Sequence, residues 1–228
     1  MPRATPARPA APHRFAWRLF GERGLELRPL DPADAAAHAD LLRLAREWTT
    51  APPAGAIDLI TAPSGILLLF DEDPARHVEA VTRALAAPPS ASAPPAREHR
   101  VPFAADADSA PDLRLVARHA GLEPDAWLAR FTELVFTVAA IGFVPGFPYL
   151  EGLPAALHLP RRATPRTKVP AGSVAIGGAY AGIYPVDSPA GWHVVGRTGL
   201  ALFDPAATPP ARFAVGDRVR FVLAAGPG

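Results

Sequence analysis

The chain has 228 residues, enough for two small domains that each bury a core. Its 23 Lys plus Arg against 22 Asp plus Glu leave a formal net charge of +1, which excludes a global field drawing it onto nucleic acid or an anionic membrane. The absence of cysteine excludes disulfide scaffolds, thiolate metal sites, iron–sulfur clusters and cysteine nucleophiles, and it fits a cytoplasmic location.

Residues 1–12 are basic and rich in Pro and Ala, with no apolar segment after them of the kind a secretory signal needs, and read as a loose tail. Residues 15–30 form two short extended segments about a Gly21–Gly24 turn, a predicted hairpin. Asp31 as N-cap and Pro32 at the first helical position then open a helix whose apolar stripe is Ala37, Leu41, Leu44, Ala45 and Trp48. AIDLITA and GILLLFD follow as β-like runs separated at Pro63–Gly65, and a second helix starts at Asp73–Pro74 with Val78, Val81 and Leu85 on one face. This order resembles a split βαβ sandwich over residues 13–85. AAPPSASAPPA, within residues 86–99, has too little large apolar surface to offset the entropy of ordering it and reads as a linker.

Beyond the linker, Ser109–His119 and Pro124–Phe131 read as helices joined by a left-handed turn at Gly121. The apolar segments LVFTVAAI, SVAI, GIY, WHVV, LALF and RVRFVL are spaced too closely for βαβ crossovers and predict a closed or nearly closed antiparallel barrel over residues 100–228. The most apolar stretch, Leu134–Leu150, is interrupted by Thr137, Gly142, Pro145, Gly146 and Pro148 and falls short of the ~20 residues that cross a bilayer.

GFVPGFPYLEGLP, from Gly142 to Pro154, cannot be a helix interior and reads as a rigid loop. Its Phe143, Phe147 and Tyr149 either wall a preorganised pocket or pack a barrel corner. Between Gly152 and Phe203 stand the cations Arg161, Arg162, Arg166, Lys168 and Arg197 against the lone carboxylate Asp187. Arginine forks match carboxylate and phosphate oxygens, so Arg166 and Arg197 are candidate anion contacts, the alternative being solvated loop residues. The histidines lack metal-ligand spacing, Ser173 lacks a nucleophile elbow, and no Gly-x-x-x-x-Gly-Lys phosphate loop or dinucleotide fingerprint exists. No metal is predicted, and any ATP is bound by or with another chain.

GFVPGFPYLEGLP, PRRATPRTKVPAGSVAIGG, GIYPVDSPAGW, GRTGLALFDP and GDRVRF occur in an order and spacing that resemble the family of the 5-oxoprolinase B subunit. That family includes the histidine-kinase inhibitor KipI and is similar to allophanate hydrolase subunit 1 and to part of the urea carboxylase carboxyltransferase domain. FGERGLELRP and PDLRLVARHAGLEPDAW extend the resemblance, more weakly, to nearly the whole chain.

The resemblance implies an α+β chain: a ferredoxin-like N-terminal domain, then a cyclophilin-like β-barrel. It also implies work with homologues of the 5-oxoprolinase C and A subunits to couple ATP cleavage to opening of the 5-oxoproline lactam, giving glutamate, with this chain inactive alone. In such chemistry the amide oxygen is phosphorylated and water attacks the ring carbon. Under that reading Phe147 and Tyr149 wall a small anionic cyclic amide, Arg166 and Arg197 hold its anionic groups, Tyr184 donates a hydrogen bond, and Trp192 stacks or packs. The alternative implied by the same family is a regulatory protein that binds and inhibits a sensor histidine kinase. Tyr180–Ala181 stands where the family usually has Gln-Thr before Gly-Ile-Tyr-Pro, which leaves the substrate open; Ala190, Gly199 and Val215 also depart from the family pattern.

Overall fold

Alternating apolar residues at the start of the chain close into a hairpin. In the computed structural model, which describes residues 14–87 and 95–224, β1 (Phe15–Phe20) and β2 (Gly24–Pro29) pair antiparallel about a turn in which Gly21 takes a φ of 61°. The expected tail and residues 88–94 of the expected linker lie outside the described residues. Helix α1 (Ala35–Thr50) begins one turn later than the sequence reading places it. Asp31 is occupied in the preceding turn, accepting the Ala33 N–H at 2.8 Å, so Asp34 becomes the N-cap and accepts from Ala36 and Ala37. The expected stripe of Ala37, Leu41, Leu44, Ala45 and Trp48 is the buried face.

A second hairpin, β3 (Ala56–Ala62) and β4 (Gly65–Phe70), completes a four-stranded antiparallel sheet in the order β1-β2-β4-β3. Strand β4 thus lies between β2 and β3, the two strands that α1 connects. Asp73 caps a short 3-10 turn that leads into α2 (Val78–Ala86). Leu25, Leu27, Leu44, Trp48, Ile66, Leu68, Phe70 and Val81 form the core of this unit, joining sheet and both helices.

The second unit runs from β5 (Glu98–Phe103) through α3 (Leu113–His119) and α4 (Pro124–Glu133) to β6 (Phe136–Ile141) and β7 (Pro148–Glu151). Gly121, at φ 67°, ends α3 with Leu122 N–H on Ala117 O at 2.9 Å and Gly121 N–H on Arg118 O at 3.0 Å, a Schellman closure. Then come β8 (Arg166–Val169), β9 (Ser173–Gly177), β10 (Tyr180–Ile183), β11 (Ser188–Ala190), β12 (His193–Arg197) and β13 (Arg218–Leu223). Seven of them form one sheet, β12-β9-β10-β7-β6-β13-β5, and β8 pairs with β11 beside it.

The outermost strands of that sheet meet. Ala104 and Arg197 exchange backbone hydrogen bonds of 2.7 and 2.8 Å, so the sheet is a nearly closed barrel. Trp127 and Phe131 of α4 stack at 4.9 Å and pack with Phe103, Phe136 and Phe221 in the barrel core, each such burial contributing about 2–3 kcal/mol.

Three details differ from the sequence reading. The barrel is not wholly antiparallel, since β13 pairs parallel with β5; the two strands bracket the rest of the unit, so no hairpin fixes their relative direction. LALF is not a strand: Leu202 is buried in a loop whose carbonyl accepts from Arg212 N at 2.9 Å, and only Phe203 makes an isolated bridge, to Ala211. The segment 142–154 is a loop only at its tip, because Pro148–Glu151 enters the sheet as β7.

Candidate functional site

The β6–β7 loop is a tight backbone knot. Gly142 N donates to Phe147 O at 3.1 Å, and Phe147 N returns a bond to Val144 O at 3.1 Å. At its tip Phe143 takes a φ of 67°, the only positive φ at a non-glycine among the described residues. Holding an L-residue there costs about 1–2 kcal/mol, and the ring so displayed is 59% exposed. It stands edge-on to Phe147 at 5.7 Å and to Tyr184 at 6.4 Å.

Behind it the aromatic residues converge. Phe147 contacts Tyr149 at 5.1 Å, Tyr184 at 5.0 Å and Trp192 at 5.5 Å, all edge-to-face, the favoured arrangement of ring quadrupoles. The sheet makes room for them with two glycines. A Cβ at Gly177 would lie 2.7 Å from the Trp192 indole, and one at Gly182 would lie 2.6 Å from Phe147 Cζ. The result is a cavity of about 280 Å³ lined by Phe143, Phe147, Tyr149, Tyr184, Trp192 and Arg161, with Pro165 and residues 189–191 at its rim.

Arg161 is the one charged residue in that lining, and its guanidinium lies 6.0 Å from the Trp192 ring centre. No carboxylate among the described residues lies within ion-pair distance of it. Burial pushes the Tyr184 phenol well up, Tyr149 pushes it further, and Arg161 only partly offsets this, so Tyr184 stays a protonated hydrogen-bond donor at neutral pH. Burial likewise raises the Tyr180 phenol, with Glu151 adding to the effect.

The structure thus brings Phe147, Tyr149, Tyr184 and Trp192 together and places the two predicted arginines elsewhere. Arg166 holds Asp112 bidentately, at 2.7 and 2.9 Å, and Arg162 reaches the same carboxylate at 3.1 Å. Asp112 stands just before α3, and its carboxylate also accepts the Val194 N–H at 2.8 Å. Burial drives this carboxyl upward, but Arg166, the Val194 N–H and Arg162 together outweigh burial and hold it below its ordinary value. Arg197 sits where the barrel closes and donates Nε to Ala171 O at 3.1 Å. Lys168 pairs with Asp187 at 2.7 Å.

His158 and His193 are spent on backbone carbonyls, Leu153 O at 2.8 Å and Pro160 O at 2.9 Å. Ser173 is buried in β9, and among the described residues no group of His, Cys, Asp or Glu could hold a metal ion. The Asp112 knot escapes sequence reading because its partners are 50 and 54 residues away. The signal available was the cation excess between Gly152 and Phe203, part of which a carboxylate from another segment balances.

A four-stranded sheet with two helices precedes a nearly closed barrel that carries the aromatic pocket. The carboxyltransferase domain family, subdomain C and D, matches residues 15–213. The chain is 36% identical over 206 residues to a protein of Escherichia coli O157:H7 named as the B subunit of 5-oxoprolinase, covering 90% of this chain and 94% of that one. A protein of the same name from Haemophilus influenzae is 47% identical over 127 residues, covering 56% of this chain and 60% of that one. By these matches the chain belongs to the family of the 5-oxoprolinase B subunit, within the carboxyltransferase subdomain C and D group.

Among solved structures, TTHA0988 superposes with a TM-score of 0.75 at 37% identity over 90% of this chain; the chain spans only 40% of the length of TTHA0988. PH0987 of Pyrococcus horikoshii superposes at 0.55 with 28% identity, covering 92% of this chain and 98% of that one. The urea amidolyase of K. lactis, at 18% identity and a TM-score of 0.66, shares the fold over 92% of this chain and 15% of its own.

Proposed function

We propose that the chain is a non-autonomous component of an ATP-dependent 5-oxoprolinase complex, and that its aromatic pocket holds the lactam of 5-oxoproline. The observation that carries this is Arg161, a guanidinium without a carboxylate partner among the described residues, set on the wall of a small aromatic cavity. In this reading Arg161 pairs with the carboxylate of 5-oxoproline, while Phe147, Tyr149 and Trp192 wall the ring. Tyr184, kept protonated by burial, donates to a ring or carboxylate oxygen. Arg166, committed to Asp112, holds the wall in place, and Arg197 stays at the barrel seam.

Opening the lactam breaks the ring C–N bond, adds the oxygen of water to the carbonyl carbon, and leaves the nitrogen as the amine of glutamate. ATP supplies the driving force. The chain has no phosphate loop, so the nucleotide and the phosphoryl step belong to homologues of the A and C subunits or to an interface with them. The same reading takes residues 13–85 as a ferredoxin-like domain, 86–99 as a linker and 100–228 as a cyclophilin-like barrel, in a cytoplasmic complex. Inhibition of a histidine kinase is not favoured, because the curated relatives matched bear the name of the 5-oxoprolinase B subunit.

Co-expression with the A and C homologues, followed by an assay of ATP-dependent glutamate formation with each component omitted in turn, tests the proposal. Activity is expected only when this chain is present. Full activity without it, or none from an assembled complex that contains it, overturns the reading.

A further inference from the structure

A larger cavity, of about 480 Å³, opens elsewhere on the barrel and shares no lining residue with the aromatic pocket. Its polar lining is Arg97, His99, Asp204 and Arg212, and its apolar lining includes Leu202, Phe203 and Pro209. His99 lies on β5, beside β13, and its Nε2 is 2.8 Å from Asp217 Oδ2. Asp217 is 1% exposed and accepts two further bonds, from the N–H groups of Arg97 and Ala214, each at 3.0 Å.

This geometry fixes the imidazole. A carboxylate so surrounded by donors is ionised and only accepts, so Nε2 carries the proton, and in the tautomer this selects Nδ1 is the acceptor. That atom bonds to no described residue and is not sealed from solvent. Phe213, edge-on to the ring at 4.8 Å, holds the imidazole plane. An oriented acceptor therefore stands in the cavity lining together with two guanidinium groups.

The two arginines differ in commitment. Arg97 donates Nη2 to Arg212 O at 3.3 Å and lies 3.6 Å from Asp217, which leaves other N–H groups of its fork available. Arg212 is exposed and has no carboxylate within ion-pair distance among the described residues. Asp204, the remaining charge in the lining, is turned to its own loop and accepts the Ala206 N–H at 2.9 Å. A ligand that satisfies this set needs an O–H for the imidazole and oxyanions for the guanidinium groups on one small centre, which is the chemistry of a hydrogen phosphate.

We propose that this cavity is a second ligand site, for a phosphate group, free or as a monoester, with His99 Nδ1 accepting its O–H and Arg97 and Arg212 pairing with its oxyanions. The apolar side of the cavity, Leu202, Phe203 and Pro209, gives a monoester body a surface to lie on. The site stands on its own residues and does not require the 5-oxoproline reading.

The test is titration of the full chain, labelled with ¹⁵N-histidine, with inorganic phosphate, with phenyl phosphate and with sulfate at matched ionic strength. Phosphate is expected to move the His99 ring nitrogens saturably and sulfate, which lacks an O–H, to bind more weakly. Phenyl phosphate binding more tightly than phosphate would assign the site to monoesters; equal affinity would assign it to the free ion. Arg212→Ala, which leaves the His99–Asp217 pair intact, is expected to weaken phosphate about tenfold. No saturable shift, equal binding of sulfate, or an unchanged affinity in Arg212→Ala would overturn the proposal and leave His99 as a tie between β5 and the Asp217 turn.

Discussion

Arg161, in the loop framed by Pro160 and Pro165, and Arg166, which opens β8 just after that loop, have opposite fates. Arg166 meets Asp112 in a knot that also gathers Arg162 and the Val194 N–H, while Arg161 faces the aromatic pocket with no carboxylate in reach among the described residues. The lesson is that a loop arginine becomes available to a ligand when the fold withholds a carboxylate from it, whatever its residue type and setting suggest. The two regions are also mechanically joined: Arg162 N donates to Gly191 O at 2.7 Å, so the knot braces the segment that carries Trp192.

The largest expected effect is on the knot. Asp112→Ala strands two partly buried guanidinium groups and the Val194 N–H, and is expected to cost about 3 kcal/mol in urea unfolding; a loss near zero would reduce the knot to a surface pair. On the pocket side, Gly182→Ala puts a methyl group into the space of Phe147 and the Pro148 carbonyl and is expected to cost about 2 kcal/mol, with a changed near-ultraviolet signal from Trp192. An unaltered signal would mean that the rings yield without reshaping the cavity.

Arg161→Ala separates binding from folding. It is expected to weaken 5-oxoproline about tenfold in the reconstituted complex while changing stability by less than about 0.5 kcal/mol, with Arg166→Ala showing the reverse pattern. Similar profiles for the two variants would erase the distinction between them.

The smallest effect concerns the clasp between the two units, His38 of α1 and Glu151 of β7, at 2.6 Å. The hydrogen bond to Glu151 raises the His38 pKa, burial opposes it, and the charge of Glu151 adds to the rise. A raised folded-state pKa means that the clasp contributes fully below the ordinary histidine value and is lost as pH rises through the raised one. The stability difference between the natural chain and His38→Gln is therefore expected to stay below about 1 kcal/mol at about pH 5.5 and to vanish at alkaline pH. A difference that grows with pH would contradict it.

Much of the local structure was legible. The stripe from Ala37 to Trp48 announces α1 because its apolar spacing follows the helix repeat, and Gly121 announces the end of α3 because a left-handed residue is needed there. Of the pocket's aromatic residues, Phe143, Phe147 and Tyr149 could be named from a loop stiffened by Pro145 and Pro148, whereas Tyr184 and Trp192 come only from the family resemblance. What sequence withholds is pairing across distance. Asp112 with Arg166, His99 with Asp217 and β5 with β13 each join segments that no local rule connects. LALF misleads for a related reason: an apolar run reports burial, and Leu202 is buried in a loop.

The hydrogen bonds between Ala104 and Arg197 have a consequence for assembly. They join β5 to β12 at the barrel seam, so a partner meeting the barrel there engages side chains and loops, whereas the open edges β1 and β3 of the other sheet could still take one more strand. The same seam denies thermal unfolding its easiest start, the peeling away of an edge strand.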